Sequence, residues 1–285
     1  MIEIRRKRQE AAEMYPIELK EGRVPYLYFP LLDRTGLARS GFSTKLGGVS
    51  TGDFESMNLG VSRGDNPSCV QENFRRMGEA MGVKAEQMVL SWQTHTVNVR
   101  QVGEEDMGKG VTRERDYRDV DGMITDVPGL CLVTLYADCV PLYFLDPVHK
   151  AIGLSHSGWK GTVKRMGRVT VERMREAYGT RPEDLLACIG PSICADCYEI
   201  GEDVANVFRQ NFSRKEQERI LREKSGGKYQ LDLWEANRLI LADTGIPAER
   251  IAVTDICTMC NSRWLFSHRA TGGRRGNLGA FLYLL

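Results

Sequence analysis

The stretch LCLVTLYADCVPLYFLD, residues 130–146, reads as two buried strands that meet near Asp138. At its centre a carboxylate and a thiol, Asp138 and Cys139, interrupt an otherwise apolar run. An unpaired polar group is costly to bury. A fold that accepts this run therefore has to bring the pair partners from elsewhere in the chain.

The surrounding sequence alternates short strand patterns with helical ones. Strands are expected within VPYLYFP (24–30), MVLSWQTHTVNVRQV (88–102), VDGMITDVPG (120–129), AIGLSH (151–156), LLACIGPSI (185–193), IAVTDICT (251–258) and NLGAFLYLL (277–285). Helices are expected at 65–82, after the start signal Asp65-Asn66-Pro67, at 162–179 and around 201–212. Two more are expected over SRKEQERILREK (213–224) and DLWEANRLILADTG (232–245), and 42–60 reads as a long loop. No internal repeat or linker divides the 285 residues. The simplest account is one α+β (mixed α/β) domain over 23–285, its mixed β-sheets flanked by helices, preceded by a charged extension at 1–22.

Charge narrows the partners. Lys and Arg total 39 against 38 Asp and Glu, so no global field favours nucleic acid or an anionic membrane. The charged start lacks the apolar core of a secretory signal, and no run is long enough for a membrane span, so a cytoplasmic location is expected. The eight cysteines are then expected to be mostly reduced: buried thiols, metal ligands or a nucleophile.

The chain has four histidines. Two of them, His95 in WQTH and His156 in LSHSG, end strand patterns, and Cys139 lies within another. A His-Cys-His set from neighbouring strands can hold one metal ion and leave a fourth position open. A metal would make the buried thiolate acceptable, with Asp138 orienting a ligand or handling a proton. On residue types alone the alternative is a buried small Cys and two histidines satisfied by backbone. HSGWKGT (156–162) places Gly158 and Lys160 in a turn between strand and helix, either an anion site or a plain chain reversal. The pairs Cys194/Cys197 and Cys257/Cys260 lie too far apart for a zinc ribbon and read as buried structural cysteines, with a structural zinc as the lesser alternative. In SHRATGGRRGNLG (267–279), Arg269 is the candidate for a phosphate or carboxylate.

The ordered series FSTKLGGVS, MNLG, GDNPSCVQEN, QTHT, DVDGMIT, ADCVPLYF, HSGWKGT, IGPSICADCYEI, DLWEANR and CTMCNSRWLFSHR resembles the YfiH/YlmD family, its YlmD-type bacterial members foremost. That family is variously labelled polyphenol oxidase, peptidoglycan-editing factor and purine nucleoside phosphorylase. The resemblance implies a Zn2+ site at His95, Cys139 and His156 in a fold related to a cysteine-hydrolase-like toxin domain. It also implies phosphorolysis of adenosine, inosine and methylthioadenosine, a pentosyl transfer to inorganic phosphate, together with adenosine deamination. Candidate catalytic residues are then His95, Cys139, His156 and Asp138, and candidate substrate contacts are Lys45, Gly158, Lys160 and Arg269. Lys45 stands where relatives often carry Arg, which keeps the charge and loses the forked donor geometry.

Other functions stay open at this level. A His2Cys set also suits Cu2+, which gives a copper-dependent polyphenol oxidoreductase, although four histidines cannot ligate the several coppers of a laccase. Cys139 activated by His156 would give a cysteine hydrolase acting on cell-wall precursors. A metal-stabilised module that binds purines without turnover is the non-enzymatic alternative.

Overall fold

Tyr143 and Phe144 are consecutive and both fully buried, yet they pack into different cores. Successive side chains of a strand point to opposite faces, so both faces of this strand are covered. The computed structural model of the chain describes residues 2–7 and 16–285 and shows what covers them.

One sheet has the spatial order β1 (Glu18–Lys20), β2 (Tyr26–Tyr28), β3 (Ala38–Ser43), β15 (Leu278–Leu284), β7 (Cys131–Tyr136), β4 (Met88–Leu90). The second runs β14 (Ile251–Val253), β10 (Leu186–Ile189), β8 (Val140–Asp146), β9 (Ala151–Ser157), β6 (Gly122–Thr125), β5 (Val99–Gln101). β4 with β7, β5 with β6 and β10 with β14 pair in parallel, and the remaining pairs are antiparallel. A small third sheet is formed by β11 (Glu199–Gly201), β13 (Lys228–Leu231) and β12 (Leu221–Lys224).

The two large sheets stack face to face. Leu132, Tyr136 and Leu282 of the first meet Tyr143, Leu145 and Leu154 of the second in the core between them. The helices are α1 (Pro30–Asp33), α2 (Pro67–Met81), α3 (Trp159–Val163), α4 (Met166–Tyr178), α5 (Glu202–Asn211), α6 (Arg214–Ile220), α7 (Leu233–Asp243) and α8 (His268–Thr271). α2 covers the outer face of the first sheet, where Phe74 and Met77 join Val133 and Phe281. α4, α5 and α7 cover the outer face of the second, where Val171, Phe208 and Leu241 join Leu142 and Phe144. The expected mixed α/β architecture is therefore present. Local chemistry sets the ends of α2, since Asn66 accepts from Ser68 N–H, Pro67 opens the helix and Gly82 closes it in the left-handed region.

Several expected elements are divided differently. The two strands in 130–146 do meet near Asp138, but they belong to different sheets, and Ala137–Cys139 is the crossover between the layers. Likewise 88–102 supplies β4 to one sheet and β5 to the other. The helix expected at 162–179 is broken into α3 and α4 at Arg165, whose φ is 61°. Thr162 is bound into a buried network with Ser157 and Asn237, which ties the first turn to α7. SRKEQERILREK begins as α6, capped by Ser213, and ends as β12, because Leu221–Lys224 pairs with β13 across a Gly-Gly turn. The extension at 1–22 does not stand apart. β1 pairs with β2, Ile17 is buried between the sheets, and Arg6 bonds the buried Asp255 at 2.9 Å. The rest of that extension, Met1 and residues 8–15, lies outside the described residues. Among the described residues no helix is long and apolar enough to cross a membrane.

Candidate metal centre

The crossover and the strand beside it build the site. In the antiparallel register of β8 and β9, Val140 faces Ser157, which sets Cys139 next to Gly158 and close to His156. His95 arrives from the segment between β4 and β5 with its backbone in the left-handed region, φ 63°. One donor atom from each of His95, Cys139 and His156 lies within 4.8 Å of the other two. The imidazole centres are 4.9 Å apart.

One carboxylate organises both histidines. Asp121 is fully buried, and its Oδ1 sits 2.8 Å from His156 Nδ1, leaving Nε2 as the free ligand atom. Asp121 also accepts the backbone N–H groups of Thr94, His95 and Thr96 at 2.9–3.1 Å, and so holds the loop that presents His95. Burial opposes ionisation of Asp121, but the bonds from His156, Thr94 and Thr96 outweigh it and hold the carboxyl at about 2. Burial and the neighbouring His156 keep His95 below the usual histidine range, in the neutral form a metal needs. For His156 burial acts in the same direction, but the Cys139 thiol and Asp121 prevail and raise it to about 9. A cation between these two imidazoles and the thiol would take over the charge that the proton carries there. The donor set and the second-sphere carboxylate fit Zn2+.

Asp138 sits at φ 84°, with Oδ1 accepting the Thr258 hydroxyl at 2.6 Å and Oδ2 accepting the Arg269 backbone N–H at 2.7 Å. The orienting position beside His156 belongs to Asp121 instead. Asp138 anchors the crossover to the segments that follow β14. Asp121 is the residue that spacing alone misses. Its signal is the same as that of Asp138, an acid set directly against an apolar strand, in VDGMIT.

A cavity of about 420 Å³ opens over the centre, with His95, Cys139, His156, Trp92, Arg63 and Arg275 in its wall. That volume is in the range of small-molecule sites. A larger hollow of about 940 Å³ beside it shares Val61, Trp92 and Arg115 but reaches none of the three donors, so the chemistry lies in the smaller one. Arg275, from the same glycine-rich segment as the candidate Arg269, is the arginine of that segment that reaches the cavity. Its Nε is buried without a hydrogen-bond partner among the described residues, and burial together with Arg63 lowers the guanidinium to about 10. An anion would relieve both effects.

The other sequence candidates lie further out. Arg269 turns its guanidinium to the carbonyls of Cys197 and Glu199 and over the Tyr198 ring. Lys45 is half-buried 6.0 Å from the centre of the Phe266 ring, with burial lowering its ammonium. Lys160 is exposed over Trp159. Gly158 is at the centre itself. A Cβ there would lie 3.0 Å from His95 Nδ1 and 3.1 Å from Cys139 Sγ, so the missing side chain serves close approach rather than chain reversal. Gly158→Ala is expected to weaken metal retention on the order of tenfold by overpacking, measured by competition with a zinc chelator.

Residues 39–285 match the family model described as multi-copper polyphenol oxidoreductase laccase. The chain belongs to this family, the YfiH family. The YfiH family fold is shared in detail, since the crystal structure of Bacillus licheniformis hypothetical protein YfiH superposes with a TM-score of 0.89 at 31% identity, over 95% of this chain and 99% of that one. Purine nucleoside phosphorylase YlmD of Bacillus subtilis is 37% identical over 85% of this chain and 87% of its own length. A protein named adenosine deaminase RL5, from an unknown prokaryotic organism, is 31% identical over 85% of this chain and 92% of its own length. The copper in the family description finds no multinuclear array here. His149 is bonded to Asp146 and His268 lies in α8, so two imidazoles converge among the described residues.

Proposed function

We propose that this chain is a zinc-dependent purine nucleoside phosphorylase of the cytoplasm that also deaminates adenosine. The observation that carries the reading is one cavity that combines the His95, Cys139 and His156 donor set with the half-buried Arg275 and with Arg63. The names of the relatives agree with it.

In phosphorolysis a phosphate oxygen bonds to C1′ of the ribose as the C1′–N9 bond breaks, and the electron pair leaves with the purine, which takes up a proton. Phosphate is held by Arg275 and Arg63, whose forked donors suit its oxygens and whose charges are mutually unfavourable without an anion. Trp92, stiffened by Arg115 at 4.3 Å from its ring centre, gives the purine an apolar wall. Asp121 keeps His156 in one tautomer and His95 in one backbone conformation, so the donor set needs no rearrangement during turnover. Bound there, Zn2+ supplies Lewis acidity toward negative charge that develops on the reacting groups. Deamination asks the same cavity to present C6 of adenine, where water oxygen adds and ammonia departs. Adenosine, inosine and methylthioadenosine are the substrates proposed.

The test is hypoxanthine release from inosine by purified protein, with metal measured on the same sample. Release that requires phosphate and scales with zinc supports the reading. A fully zinc-loaded protein without turnover overturns it for inosine. Arg275→Met is expected to raise KM for phosphate on the order of tenfold or more, the worth of a charged hydrogen bond, with a smaller change in KM for inosine.

A further inference from the structure

Cys194, Cys197, Cys257 and Cys260 come together on the far side of the Asp138 crossover. Each offers an Sγ, and the four lie within 4.8 Å of one another, with Cys197 and Cys260 at 3.5 Å. We propose that these four cysteines form a second metal site of this chain, a mononuclear tetrathiolate centre for Zn2+.

The geometry selects one tetrahedral ion over a cluster, and Zn2+ is the redox-inert occupant of structural tetrathiolate sites. A tetrahedral ion with Zn–S bonds near 2.3 Å spaces its sulfurs by about 3.8 Å, which this cluster accommodates, whereas an iron–sulfur cluster needs its cysteines spread around several metal atoms. Both CxxC segments form tight turns. Cys197 N–H bonds the Cys194 carbonyl at 3.0 Å, and Cys260 N–H points to Cys257 Sγ at 3.4 Å. Cys194 N–H reaches the same Cys257 sulfur at 3.3 Å. These donors favour thiolate. So does the Lys7 ammonium, which bonds Asp196 at 3.1 Å and feels the charge of Cys194 and Cys260. The spacing between the two pairs, too long for a zinc ribbon, is bridged by the fold. Ser192 pairs with Cys257, and Thr258 N–H bonds the Ser192 carbonyl at 3.1 Å.

Both turns hold the crossover. Ile193 N–H bonds the Asp138 carbonyl at 3.0 Å, and the Thr258 hydroxyl bonds its carboxylate. The second ion thus fastens the support of Cys139, and it is independent of what reaction the first centre performs.

The experiment is zinc content of the full chain purified without added metal or chelator, for wild type, Cys139→Ala and Cys197→Ser/Cys260→Ser. The double variant is expected to hold one zinc equivalent fewer than wild type and to melt on the order of 10 °C lower, whereas Cys139→Ala keeps this zinc. In wild type, alkylation mapped by peptide mass is expected to spare these four cysteines until a chelator removes the metal, a readout that does not need the variants to fold. Equal zinc in wild type and double variant, free alkylation of zinc-loaded protein, disulfides among the four, or iron in place of zinc would each overturn the proposal.

Discussion

Cys139→Ala is expected to lower phosphate-dependent hypoxanthine release from inosine on the order of 10³-fold, the scale seen when a preorganised charge-stabilising group is lost. It removes the one thiolate of the centre, so zinc measured on the same sample should fall by the equivalent held there. The fold should survive, because Cys139 is only partly buried at the cavity and the strand it precedes is pinned by β9 and β10. Metal and activity falling together support a ligand role. Activity that persists in metal-free wild type and disappears on alkylation of Cys139 would point instead to a cysteine nucleophile paired with His156.

Asp121→Asn is expected to weaken zinc retention at the same centre by about 10–100-fold, as for other carboxylates behind a metal-bound histidine. Part of the loss comes from His156, whose Nδ1 loses an ionised acceptor. The rest comes from the loop, because an amide NH2 in place of either oxygen faces the N–H groups of Thr94, His95 or Thr96. Competition with a chelator reads the retention, and turnover at saturating zinc separates binding from chemistry. There is also an acid signature. The carboxyl is held at about 2 against an ordinary 3.8, so the stability it lends is complete above about pH 4 and is lost as pH falls toward 2. Urea melts of metal-free protein should show that slope in wild type and its absence in the variant.

The sequence made the candidate ligands legible because each carries distinctive chemistry beside an apolar strand. It hid the partition of the strands. β7 and β8 are both buried on two sides, so their side chains show no alternation that would tell one sheet from two. The break at Arg165 was equally hidden, since the helical pattern continues through it and the buried contacts of Thr162 decide the matter. Arg269 and Arg275 are alike in composition and context. Only the fold turns one toward Tyr198 and the other into the cavity. Both cysteine pairs were visible in the sequence but their convergence was not, because the contact that joins them spans 63 residues.

The position of β15 has a consequence for synthesis. It lies in the interior of the first sheet, between β3 and β7, and buries Phe281 on one face and Leu282 on the other. A ribosome that has made residues 1–277 has delivered every candidate metal ligand and almost all of both sheets, yet β3 and β7 still face each other across an open slot. Until that slot is filled their edges are unpaired and apolar. The nascent chain therefore passes through a stage at which it is rich in thiols, open at two strand edges and dependent on holding factors or speed to avoid misassembly.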